Sequence, residues 1–102
     1  MIIVTLSDCS KCAKLKSELN CFRREYKECD CNKFPDLCDT LEETTNTLSY
    51  PMVIVNNSHK QELHYVCDTY ENFKSLNTEI NNYILKPYAS LELMIEKLKS
   101  IK

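Results

Sequence analysis

Cys9 and Cys12 stand two residues apart in the stretch Ser7-Asp8-Cys9-Ser10-Lys11-Cys12. Two thiols at that spacing can close a small disulfide ring and reopen it. A short apolar run precedes them, and an amphipathic segment follows to about residue 22, which predicts a strand, a turn and a helix. The turn exposes the first sulfur. The partial positive charge and unpaired N–H groups of the helix N-terminus favour thiolate over thiol there. Lys11 acts in the same direction and Asp8 against it. The second sulfur falls about one helical turn on, within reach of the first, and on the inward stripe. It is therefore expected to be the less exposed of the two.

Five further cysteines make seven, an odd number, so at least one has no partner within the chain. Cys29, Cys31 and Cys38 invite a zinc site or a second redox pair. C-x₂-C pairs dominate zinc sites, and alternate strand positions place Cys29 and Cys31 on one face without any metal. Three separate thiols are therefore expected, with a regulatory disulfide beside the active site left open. Cys21 and Cys38 read as ordinary buried cysteines, small apolar side chains in effect. His59 and His64 fall in and just after a polar connection and are expected at the surface. Lys97, Lys99 and Lys102 read as a solvated helix face.

The elements that must position the two thiols follow from periodicity. Residues 2–6 are a short β-branched run suited to a strand buried on both faces. Cys12, Leu15, Leu19 and Phe22 then form one helical stripe. Residues 25–31 are expected as a second strand. Phe34, Leu37, Cys38 and Leu41 form a second helix that starts near Pro35, and residues 44–49 a polar loop. Tyr50-Pro51 opens a third strand through residue 55, since proline belongs at a strand's first residue. Residues 56–61 read as a hairpin connection, and residues 62–67 as the returning strand. Asp68 or Thr69 caps an expected helix with the stripe Phe73, Leu76, Ile80, Tyr83 and Ile84, ended by Pro87. Leu91, Met94, Ile95, Leu98 and Ile101 mark a final amphipathic helix from near Ser90.

The 102 residues are expected to form one domain, with residues 87–102 as an additional C-terminal helix. Charged residues are 27% of the chain and the net charge is −2, so binding driven by phosphate neutralisation is not expected. No stretch approaches the roughly 20 apolar residues of a membrane span. The N-terminus lacks the basic opening and long apolar run of a signal peptide, so a reducing, cytoplasmic setting is expected. The chain has no glycine. Asparagine or aspartate must therefore occupy positions of positive φ, with Asn56-Asn57 one expected site.

Two separated features coincide: CxxC after the first strand and Tyr50-Pro51 before the third. Together they resemble the glutaredoxins within the thioredoxin superfamily. Val4-Thr5-Leu6-Ser7-Asp8-Cys9-Ser10-Lys11-Cys12 looks like their first strand and active-site turn, and Tyr65-Val66-Cys67-Asp68-Thr69 falls where they carry Gly-Gly-Cys-Asp/Ser-Asp. The likeness covers about residues 1–85. It implies an α/β, thioredoxin-like α/β/α fold with a four-stranded mixed sheet in the order β-α-β-α-β-β-α. It implies Cys9 as nucleophile, Cys12 as resolving thiol and a cis Pro51, with Lys11, Tyr50, Pro51, Cys67 and Asp68 contacting substrate. Ser10-Lys11 replaces the family's usual middle residues, and Tyr65-Val66 replaces its Gly-Gly pair.

The expected function is thiol–disulfide exchange with protein disulfides or mixed disulfides, with no tightly bound cofactor and no metal. Glutathione or a reductase protein would regenerate the dithiol, and Tyr65-Val66 tilts the choice toward a protein. The alternatives are a metal or iron–sulfur carrier, and a redox-silent module that docks a partner or a second copy through the C-terminal helix.

Overall fold

The computed structural model describes residues 1–56, 58, 60–67, 78–80 and 82–101. Its sheet contains β1 (Ile2–Thr5), β2 (Lys27–Asp30), β3 (Met52–Asn56), β4 (Gln61–Val66), β5 (Thr78–Ile80) and β6 (Tyr83–Tyr88). The helices among the described residues are α1 (Ser10–Cys21), α2 (Pro35–Thr45) and α3 (Leu91–Ser100). The strand order is β2-β1-β3-β4-β6-β5. β1 pairs parallel with β2 and β4 with β6, while the β1–β3, β3–β4 and β5–β6 pairs are antiparallel. The arrangement is mixed α/β and compatible with a thioredoxin-like fold, but among the described residues the sheet has six strands where four were expected.

Alternation along the strands builds two cores. Ile3, Val53, Val55 and Val66 face one way and pack with Leu15 and Leu19 of α1 and with Leu91, Met94, Ile95 and Leu98 of α3. Val4, Met52, Ile54, Leu63 and Tyr65 face the other way and pack with Cys38 and Leu41 of α2. The helices thus cover both faces, α1 and α3 together on one and α2 on the other. The stripe of α1 ends at Leu19, and Phe22 is 53% exposed. Phe34 is also exposed, at the N-cap of α2, because Pro35 begins the helix after it.

The two added strands correct the expected helix through Ile80, Tyr83 and Ile84. Its proposed start, Phe73 and Leu76 lie outside the described residues. Residues 83–88 instead pair with β4 in parallel, Tyr65 opposite Pro87. The spacing was ambiguous: Tyr83, Leu85 and Pro87 alternate as well as Tyr83 and Ile84 repeat, and a run this short fits either period. Pro87 does not end a helix; it sits inside β6. The carbonyl of Tyr88 accepts from Cys67 N–H on the β4 side at 2.8 Å. The missing donor of Pro87 therefore points away from β4, and the ladder between β4 and β6 loses no bond to it.

The C-terminal helix packs on the sheet. Ser90 caps it by accepting from Leu93 N–H at 3.3 Å, and Glu92 in the first turn and Lys97 and Lys99 in the last suit the helix dipole. Its apolar stripe is spent on the sheet beside α1. Lys99 is half-buried, paired with Glu18 at 3.1 Å and lying over the Phe22 ring, not a fully solvated cation. Leu98 is fully buried, and Leu98→Ala should cost about 2–5 kcal/mol of unfolding free energy in urea titration.

His64 is buried, 1% exposed, and not at the surface as expected. Its register opposite Lys86 turns it onto the α1 and α3 face, where Nδ1 meets the Tyr88 hydroxyl at 2.7 Å and Nε2 the Glu62 carboxylate at 3.1 Å. Burial lowers its pKa, and Glu62 opposes that only in part. Below the unfolded value near 6.5, the unfolded chain takes up a proton that native His64 refuses. Stability from this group is therefore complete above pH 6.5 and falls as pH drops through the lowered native value. Unfolding free energies from urea titration between pH 7 and 5 should decline at up to about 1.4 kcal/mol per pH unit, and His64→Gln should flatten that slope.

Candidate active site

The loop that carries Cys9 leaves β1 at Thr5. Asp8 takes φ 57°, a left-handed conformation that aspartate tolerates better than most residues. The chain then straightens at Cys9, which is the N-cap of α1 with φ −97° and ψ 104°. A cap side chain ordinarily offers oxygen to the helix. Here the Cys9 sulfur serves, accepting from Cys12 N–H at 3.1 Å. The same sulfur is bonded to Cys12 Sγ, with the two Cα atoms 5.2 Å apart. Cys9 is half-buried and Cys12 is 2% exposed.

Tyr50 and Pro51 close the site from β3. The Tyr50–Pro51 peptide is cis, and the Tyr50 carbonyl oxygen lies 3.8 Å from Cys9 Sγ. The Tyr50 side chain is buried, and its hydroxyl donates to Glu42 of α2 at 2.8 Å. Burial, reinforced by that carboxylate, holds the phenol far above its ordinary pKa. A helix on the opposite face of the sheet therefore fixes the strand end that faces the sulfur.

Two open depressions flank the pair. One, of about 530 Å³, lies between the N-termini of α1 and α3. Lys11 and Lys14 line it from α1, Val66 and Cys67 from the sheet, and Ser90 and Glu92 from α3. Lys11 is exposed. Lys14 and Glu92 pair across it at 2.9 Å, which raises the lysine and lowers the carboxyl. Cys67 is 6% exposed. Its neighbour Tyr65 is pushed up to about 12, first by burial and then by the Cys67 thiol. The other depression, about 580 Å³, runs along the active-site loop to Glu28 and Asp30. There Thr5 Oγ1 donates to Glu28 at 2.8 Å and Lys16 Nζ approaches it at 3.2 Å. Both lower the Glu28 pKa, the hydroxyl most.

Cys9, Cys12, Lys11, Tyr50, Pro51 and Cys67 thus converge on one end of the sheet. Asp68 lies outside the described residues, as does His59. In the groove the start of α3, at the position near Ser90 expected for the final helix, stands beside Cys67.

The cysteine expectations need correction. Cys31 and Cys38 are not separate thiols; they form a second disulfide with Cα atoms 5.8 Å apart. A strand end followed by a short turn and Pro35 folds the first helical turns back over β2, which brings residue 38 to residue 31. Closing a loop with a sequence separation of 7 restrains the unfolded chain by about 2–3 kcal/mol. The signal was present in the turn between two predicted elements, since a Cys on each side of a tight connection is brought close by it. Cys21 is exposed, not buried, at the last position of α1.

A family model described as Glutaredoxin matches residues 1–60. That stretch is more than half of the chain's 102 residues, and the chain belongs to the glutaredoxin family. No curated protein and no solved structure matches it. The matched residues carry both disulfides and Pro51. All of β4, β5, β6 and α3 lies beyond them.

Removing the hydroxyl that holds Glu28 should be visible directly. In Thr5→Val, an NMR titration of the Glu28 carboxylate should show its pKa rising toward the ordinary value near 4.5.

Proposed function

We propose that this protein is a thiol–disulfide oxidoreductase that reduces protein disulfides or mixed disulfides through Cys9 and Cys12. The observation that supports this most directly is the closed Cys9–Cys12 pair at the N-cap of α1, with the outer sulfur facing the Tyr50 carbonyl. In the reduced protein, the Cys12 N–H and the positive end of α1 stabilise a thiolate at Cys9. That thiolate attacks a substrate disulfide, and one substrate thiolate leaves. Cys12, shielded until then, attacks the Cys9 sulfur of the mixed disulfide, releases the second substrate thiol and closes the ring. Two electrons pass to the substrate. A dithiol, or two molecules of glutathione, returns them.

Tyr50 and Pro51 border an extended substrate, as the family resemblance implies. Tyr65 and Val66 bury their side chains on opposite faces of the sheet, where glycines would leave open space beside the groove. This favours a protein dithiol over glutathione as reductant. The activity suits a reducing, cytoplasmic setting.

Cys9→Ser should abolish reduction of insulin disulfides, while Cys12→Ser should accumulate the mixed disulfide on a nonreducing gel. The alkylation rate of reduced Cys9 should vary little between about pH 7 and 9. A Cys9 that resists iodoacetamide in the native, reduced protein would overturn the reading.

A further inference from the structure

We propose that Cys31 and Cys38 are a second redox-active dithiol, opened by an external dithiol, whose state shifts the equilibrium of the Cys9–Cys12 pair. The inference rests on the redox reading of Cys9 and Cys12.

The position of the second bridge supports it. Cys31 directly follows β2, and its N–H donates at 2.9 Å to the carbonyl of Thr5, the last residue of β1. Cys38 lies one turn into α2, its N–H donating to Phe34 O at 3.3 Å. The bridge therefore ties α2 to the strand ends from which the active-site loop departs. From this ring, two contacts reach the site on different sides. Asn32, inside the ring, donates through Nδ2 to the hydroxyl of Ser7, two residues before Cys9. Glu42, further along α2, accepts from the Tyr50 hydroxyl, and the carbonyl of Tyr50 faces Cys9 Sγ. Cys12, Cys31, Cys38 and Tyr50 also share one apolar cluster, with Cys9 packed against it. A clamp that served stability alone would need none of these contacts.

The bridge is covered but not deeply enclosed. Cys31 is 7% and Cys38 4% exposed, yet residues 32–36 between them are all exposed. Opening of that turn uncovers the sulfurs without disturbing a strand. Reduction there is consequently slower than at half-buried Cys9. A dithiol thiolate attacks one sulfur of the bridge and the other sulfur leaves as thiolate. The second thiol of the reagent, as thiolate, then attacks the mixed disulfide and releases the first cysteine. The products are Cys31 and Cys38 thiols and a cyclic disulfide, with two electrons and two protons transferred. Opening frees the start of α2 from β2 and loosens both contacts that hold the Cys9 surroundings. Coupling between two equilibria is reciprocal, so each pair feels the state of the other.

The full-length protein would be equilibrated across ratios of reduced to oxidised dithiothreitol, acid-quenched, alkylated and digested, with each pair read by peptide mass. Short incubations sample Cys9–Cys12 while the second bridge is closed, and long ones sample it open. The expected result is that both pairs open, and that Cys9–Cys12 is half-reduced at a ratio about fivefold or more lower once Cys31–Cys38 has opened. The double variant Cys31→Ser/Cys38→Ser should show that lower ratio at every incubation time, and Glu42→Gln should shrink the difference. The inference falls if Cys31–Cys38 stays closed where Cys9–Cys12 is fully open, or if the Cys9–Cys12 midpoint differs by less than twofold between the two states. If the Cys9–Cys12 peptides stay bridged at every ratio, the parent reading falls and this one with it.

Discussion

The site depends on one hydrogen bond made by a sulfur. At the N-terminus of α1, the Cys9 side chain takes the place of the usual oxygen cap, with Cys12 N–H 3.1 Å away. The helix start leaves N–H groups without intrahelical partners, and here one of them is satisfied by the atom that must carry charge in thiol chemistry. Cap and proposed nucleophile are thus the same atom, and anything that misplaces the helix start misplaces both. The burial of Leu15 and Leu19 against Ile3, together with α3, sets that start. The Tyr50 carbonyl approaches the sulfur from the opposite side, and Tyr50 is held in turn by Glu42 from beneath the sheet.

A chain without glycine meets its tight turns with other residues. Asp8, Asn46 and Asn82 take positive φ, as does Arg23. The first three are the types that tolerate the left-handed region. Arg23 is not. It lies just past α1, where Arg23 N–H bonds Asn20 O and Arg24 N–H bonds Leu19 O, closing the last carbonyls of the helix. Arg24 then reaches the carbonyl of Lys99 at 2.7 Å. The unfavourable backbone at Arg23 is held by a contact between the ends of α1 and α3, which are also joined by the pairing of Lys99 with Glu18.

What was legible in the sequence and what was not divides along the chain. In the first half, the β-branched run at residues 2–5, the stripe of Cys12, Leu15 and Leu19, and the placing of Tyr50-Pro51 before β3 each had one reading, because period, flanking residues and length agreed. β2 was legible only as a position. Lys27 and Glu28 are exposed at the sheet edge, so no burial imposes alternation on them. β4 and the final helix were also legible, and the stretch from Ile80 to Tyr88 was misread for a different reason. Tyr83, Ile84 and Leu85 fit a helix by spacing and a strand by type, and only the pairing with β4 decides. Pairing is not local information. The same limit hid His64: a histidine beside a polar hairpin looks exposed until β6 lies alongside and brings Tyr88 to it.

The cysteines show how two local arguments can both miss a pairing. Spacing argued against an ordinary zinc site at Cys29, Cys31 and Cys38, and two of the three are bonded to each other. The other argument took cysteine as a small apolar residue, and Cys31 and Cys38 do both belong to the apolar cluster beneath the site. Neither argument considered the turn between them. Asn32 N–H bonds the Asp30 carboxylate, and the N–H groups of Lys33 and Phe34 bond the Asp30 carbonyl. These bonds tighten the connection enough to bring the two sulfurs together. A polar residue at the end of an edge strand therefore determines whether two buried thiols stay apart or join, and the chemistry of Cys31 and Cys38 depends on the backbone turn that Asp30 organises.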